Sequence, residues 1–101
     1  MLDLFQSKDA AESFIWADGR FRSVTLSEKK KEMAVSFTDY CGKRIRFLFS
    51  NVDEVKMTEP VYCVRASHAR AGKRKILSLY DDDGLVLSFQ YGAVASHEEE
   101  G

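Results

Sequence analysis

The run LYDDDGLVLSFQY (79–91) sets three consecutive carboxylates, Asp81, Asp82 and Asp83, directly before a glycine. Such a cluster has three chemical readings: a loop for a hard cation, a contact point for a basic partner, or the polar turn of a hairpin. A calcium loop of the EF-hand kind draws oxygens from alternate positions and ends on a distal glutamate. Here the aspartates are adjacent, so alternate side chains diverge, and the next acid is Glu98. Asp-Gly, by contrast, favours the positive φ of a tight hairpin turn. The sequence therefore predicts a turn between Tyr80 and Leu85 whose crowded carboxylates repel one another, a repulsion that a basic partner would relieve. Asp53 and Glu54 are further candidates for the same contact.

The opposite charge gathers in RASHARAGKRK (65–75), with five Arg and Lys and no acid. Arginine forks onto carboxylate or phosphate oxygens, so Lys73, Arg74 and Lys75 are candidates for an acidic partner. The aromatic side chains on which nucleic-acid modules stack bases are missing from this run. It is expected as a solvated loop, with phosphate or acidic-protein contact as its functional reading. Arg44 and Arg46 alternate with Ile45 and Phe47, which predicts that they share the outer face of a sheet. Leu48 lies on that face. With Leu77 and Leu79 it would form a contact patch if the sheet closes only partly. Trp16 and Tyr40 suit either core or interface.

Catalytic groups are sparse. His68 and His97 would make an acid–base pair only if both were held in place, and His97 falls in an expected flexible tail over 95–101. Cys41, Cys63, His68 and His97 lack the close CxxC or HxxxH pairs that organise zinc. The fingerprints GxSxG, GxxxxGK[ST] and GxGxxG are absent. The expectation is a protein that is not an enzyme and uses no cofactor or metal.

The elements that must position these residues follow from length and periodicity. A chain of 101 residues is expected to be one domain, 1–101. Apolar residues at 45% and charged residues at 31% describe a globular chain, and a net charge of −1 is unlike that of a dedicated nucleic-acid binder. The N-terminus has no basic segment leading into an apolar run, and no apolar stretch approaches about 20 residues. The two cysteines are too few for a disulfide scaffold. These features predict a cytoplasmic protein with reduced thiols and no membrane contact.

Met33, Val35 and Phe37 alternate with Ala34, Ser36 and Thr38, as do Ile45, Phe47 and Phe49 with their neighbours, so 31–38 and 43–50 read as an antiparallel hairpin. Strands are also expected over 21–27, 52–57, 61–66, 75–80 and 85–91, with Pro60 marking a break. In the last of these, Leu85, Leu87, Phe89 and Tyr91 should share one face. A single short helix is expected over 8–15, capped by Ser7. The fold class is thus mainly β: an antiparallel meander of about seven strands forming a curved sheet, half-barrel or two-layer sandwich, with one N-terminal helix. The 52–57 strand is expected at an edge, where it offers a route to a homodimer.

The order of these features carries a likeness. WADGRFRSVTLS, then KEMAVSFTDYCGKRIRFLFSNVDEV, then ILSLYDDDGLVLSFQYGAV resembles the small β-rich immunity proteins of bacterial toxin–immunity systems, among them partners of contact-dependent inhibition toxins. The likeness implies a cytoplasmic protein that binds a toxin domain, a nuclease being one candidate, and occludes its active site. It brings no catalytic residues with it. If the toxin surface is cationic, Asp81, Asp82 and Asp83 are the expected contacts, with Asp53 and Glu54; if acidic, Arg44, Arg46, Lys73, Arg74 and Lys75. The alternative reading is a small β-barrel that binds nucleic acid through the basic 65–75 run.

Overall fold

Met33, Val35, Phe37, Phe47 and Phe49 are all buried, while Arg44 and Arg46 between them are exposed. That alternation is the period of a strand with one face in the core and one in water. The computed structural model describes residues 9–99, and within them every regular element is a strand. These are β1 (Gly19–Ser27), β2 (Glu32–Thr38), β3 (Arg44–Ser50), β4 (Asp53–Met57), β5 (Tyr62–Cys63), β6 (Arg65–Ala71), β7 (Arg74–Asp81), β8 (Gly84–Tyr91) and β9 (Ala93–Glu99). They form two antiparallel sheets, ordered β5-β1-β2-β3-β9 and β4-β8-β7-β6. The core lies between the sheets, where Phe49 meets Phe89 and Tyr91 at ring-centroid distances of 4.6 and 4.9 Å.

The sheets are joined at corners where strands run from one to the other. Ser50 pairs with Ala93, and three residues on Asp53 pairs with Gln90. So β3–β4 and β8–β9 form one long antiparallel ribbon that bends at Asn51 and Gly92. The bend requires unusual backbone: Asn51 and Glu54 sit at φ 56° and 53°. At Gly92 a Cβ would come within 3.1 Å of the Asn51 Cβ, which explains glycine at the inside of the corner. Arg74 braces it, donating to the Asn51 carbonyl and to the Gln90 side chain. A second corner is made by β5, which pairs with β1, while the next residue, Val64, donates its N–H to the Tyr80 carbonyl of β7 at 2.7 Å. Bends and bulges of this kind let strands pass from one sheet to the other around a shared core.

The structure revises several expectations. The basic run 65–75 is not a loop but the β6–β7 hairpin, tipped by Gly72 at φ 67°. The strand expected over 61–66 divides at Val64 into β5 and β6. The tail expected over 95–101 is ordered as far as Glu99, because β9 continues β8 past Gly92 and pairs with the whole of β3. A bulge at Val86 changes the face of β8: Leu79 opposes Leu87 but Tyr80 opposes Leu85. Leu85 is therefore turned outward, and Val86 is buried in its place. Leu77 and Leu79, considered as contact patch, are core residues.

No helix forms over the described part of 8–15; Ser7 and Lys8 lie outside the described residues. A turn takes its place, closed by Ser13 N–H to the Asp9 carbonyl at 3.1 Å and by Glu12 N–H to the Asp9 carboxylate at 2.8 Å. Two helical turns gain little by themselves. This segment gains more by burying Ala11 and Trp16 and packing Phe14 on Trp16, Phe37 and Phe47 at 4.7–5.7 Å. Trp16 satisfies its indole N–H on the Ala11 carbonyl at 3.0 Å. No helix among the described residues is long and apolar enough to cross a membrane.

Candidate partner-binding surface

The acidic triplet closes the β7–β8 hairpin as expected. Asp81 Oδ1 accepts the N–H of Asp83 at 2.7 Å, an aspartate-closed turn, and Gly84 takes φ 129°. Asp81 is therefore committed to the turn. Asp82 accepts the Tyr62 hydroxyl at 3.1 Å, and this bond raises the phenol's pKa because it favours the protonated form. Asp82 and Asp83 are both exposed. Beside them, a shallow groove of about 390 Å³ is lined by Asp18, Gly19, Arg20, Tyr62, Cys63, Val64 and Asp82. The Cys63 thiol at its base is pushed up by burial, which disfavours the thiolate. Cys41 is exposed on the β2–β3 turn, and the two thiols are free.

Two exposed apolar side chains lie next to this tip: Val64, which lines the groove with Asp82, and Leu85, which follows the turn. Leu85 pairs with Tyr80, whose carbonyl receives the Val64 N–H; Met57 pairs with Leu87 of the same hairpin. Met57, Val61, Val64 and Leu85 are all exposed, at 44, 58, 39 and 37%. Sequence reasoning missed the exposure of Val64 and Leu85. Its signal lies in the bulge at Val86 and the crossover at Val64, which local alternation does not reveal. Glu59, on the link between β4 and β5, adds another exposed acid at this end.

The remaining candidates are scattered. Asp53 and Glu54 are exposed on β4, near Gln90 and hence toward the other end of the β8 hairpin from the triplet. Asp53 makes only a loose pair with Lys31 at 3.9 Å. Arg44 and Arg46 project from the outer face of the five-stranded sheet, opposite Glu99 and His97 of β9. Arg22 of β1 reaches Glu99 at 2.9 Å, across a face with β2 and β3 between them. Leu48 and Tyr40 are exposed, at 41 and 57%, while Trp16 is core. His68 and His97 stand on edge strands of different sheets and are not brought together as a pair.

The basic run is largely engaged within the fold. Arg65 lies over the Tyr80 ring, 4.0 Å from its centroid, and Arg74 braces the corner. The Lys75 ammonium binds Asp9 and Glu12 carboxylates at 2.9 and 3.0 Å. Asp9 also accepts the Tyr91 hydroxyl at 2.9 Å. Partial burial alone would raise the Asp9 carboxyl, but Lys75, the Glu12 N–H and Tyr91 outweigh it and hold it below the usual carboxylate value. Lys75 lowers Glu12 in the same way, and its bond to Asp9 raises its own pKa. Burial, then Asp9, push the Tyr91 phenol well up. This cluster fastens the 9–16 segment to the four-stranded sheet.

The arrangement offers an acidic tip with Val64 and Leu85 exposed beside it. Among the described residues, no three His, Cys, Asp or Glu side chains converge to hold a metal ion. Comparisons with protein-family models, with curated proteins and with solved structures find no match to this chain, so the surface stands on its own geometry.

Proposed function

We propose that this protein is a binding module that neutralises a toxin domain by covering its active site, acting in the cytoplasm and without catalysis of its own. The observation that carries the reading is the acidic β7–β8 tip beside exposed Val64 and Leu85. Protein interfaces combine a desolvated apolar centre with a polar rim, and few centrally placed anchors supply most of the binding energy. Asp82 and Asp83 would steer a cationic partner, such as a nuclease with a basic substrate groove, and raise the rate of encounter. The two-sheet scaffold is ordered up to the edge of the patch, so little conformational entropy is lost on binding.

The basic set, Arg44, Arg46, Lys73, Arg74 and Lys75, supports an acidic partner less well, because Arg74 and Lys75 already hold the fold together. The same engagement, with Arg65 on Tyr80, argues against nucleic-acid binding through the 65–75 run. The test is co-expression with the product of the neighbouring gene, followed by capture and by protection of cells that express it. Capture of that product is expected, with Asp82→Lys plus Asp83→Lys weakening it about 10- to 100-fold by reversing the charge. Capture that survives the reversal, or a product that is neither bound nor neutralised, overturns the reading.

A further inference from the structure

The two-sheet architecture leaves a seam along β1 and β4. β4 ends its sheet, and β1 meets β5 and its lead-in only from Gly19 to Phe21, so among the described residues both strands run on with one side unpartnered. Two grooves follow one another along this seam. The first, about 310 Å³, has Val24 and Met57 among its lining, and the second, about 260 Å³, has Leu26 and Val55. The corner on the far side is covered by the 9–16 segment; this one has no such cover among the described residues.

The backbone of β4 is poised for pairing. Thr58 donates its N–H to Val86, so strand alternation leaves the N–H of Met57 on the free side. Charge along the rim selects a partner. Of the bases lining these grooves, Arg22 is paired with Glu99 and Lys31 stands 3.9 Å from Asp53, while Lys56 of β4 faces the other side of the sheet, toward Ser88 and Gln90. Glu28, Glu54 and Glu59 remain as exposed acids. The bulge that puts Glu54 at φ 53° disturbs the register at the start of β4 and leaves its Lys56–Met57 end as the regular part of the free edge.

We infer that the free edge of β4, over the seam with β1, takes an extended segment of the partner as an added strand, one whose apolar residues alternate with lysine or arginine. Main-chain hydrogen bonds to β4 supply affinity, and the alternate side chains entering the seam supply specificity. The inference rests on the proposed function for the identity of the partner, since Met57 pairs with Leu87 of the hairpin that carries the acidic tip.

The test uses the full chain with two synthetic peptides, one alternating valine with lysine and one alternating valine with glutamate. The lysine peptide is expected to bind and to slow amide exchange at Met57. Met57→Pro removes the outward N–H without touching the ladder to β8 and should weaken binding at least about tenfold; Met57→Leu should not. Unchanged binding by Met57→Pro overturns the proposal, as do equal binding of the glutamate peptide and a β4-mediated dimer of the protein itself. Asp83→Lys separates the two readings. It should leave peptide binding intact, so lost capture of the toxin with retained peptide binding supports both. Toxin capture without any peptide protection of β4 overturns the seam alone.

Discussion

Lys75 sits at the start of β7 opposite Tyr91, with its ammonium held between the Asp9 and Glu12 carboxylates. Its side chain is 20% exposed, so solvent screens the pairs only in part. Lys75→Met keeps the length of the stem but leaves two carboxylates facing each other with no cation. The expected cost at neutral pH is about 1–3 kcal/mol, read as a lower urea midpoint. The pH dependence has a definite sign. The Asp9 and Glu12 carboxyls are lowered from 3.8 and 4.5, so their contribution is full above those values and is lost as pH falls through the lower folded values. Lys75 is raised above 10.5, so its contribution is full below that value and is lost as pH rises through the raised one. The gap between wild type and variant should therefore narrow in strong acid and again in strong base. A gap that stays constant well below 3.8 would trace the loss to packing instead. The sequence hid this cluster because its members lie 63 and 66 residues apart. The basic run invites a surface reading until the fold brings the acids to it.

At the scale of elements, β9 is the sharpest case of pairing overruling local preference. AVASHEE has one β-branched residue and ends in acids, so its part from Ala95 onward reads as a tail. It becomes a strand because β8 carries it past Gly92 onto the open edge of β3, where seven residue pairs form and Val94 packs on the core. A chain ending at Gly92 is expected to leave β3 as an edge, with amide exchange at Arg46 and Leu48, whose N–H groups alternate toward β9, faster by about tenfold or more. Equal protection of β3 in the shortened chain would mean that β9 adds nothing to the sheet. The legible and illegible elements differ in a consistent way. The β2–β3 hairpin and the Asp-Gly turn could be read because alternation and a glycine act within a few residues. The bulges at Val86 and Glu54 and the division at Val64 could not, since each adjusts one strand to a neighbour far away in sequence. The exposure of Val64 and Leu85 beside the acidic tip is a product of those adjustments, which is why the triplet was visible in the sequence and its apolar neighbours were not.

The whole molecule is held by one core shared between the sheets. Its aromatic chain runs from Phe21 through Phe37, Trp16 and Phe47 to Phe49, then crosses to Phe89 and Tyr91 with centroid separations of 4.6–6.1 Å. Edge-on packing of such rings adds about 0.5–1.5 kcal/mol per pair beyond the area they bury. The ribbon of β3–β4 with β8–β9 belongs to both sheets, so neither can open without breaking strand pairs in the other. Small single domains that share a core in this way unfold in one step, with a stability of roughly 5–15 kcal/mol. Trp16 reports on that core directly, being 2% exposed and in contact with Phe37 and Phe47. Its emission should therefore lie toward the blue in the folded protein and move to the red at the same urea concentration at which the far-ultraviolet circular dichroism of the strands is lost. If the fluorescence change came first, the 9–16 segment that leads into Trp16 would be a separately released cover rather than part of the core. If the strand signal were lost in two stages, the sheets would be independent layers, and a partner gripping one of them would not feel the other.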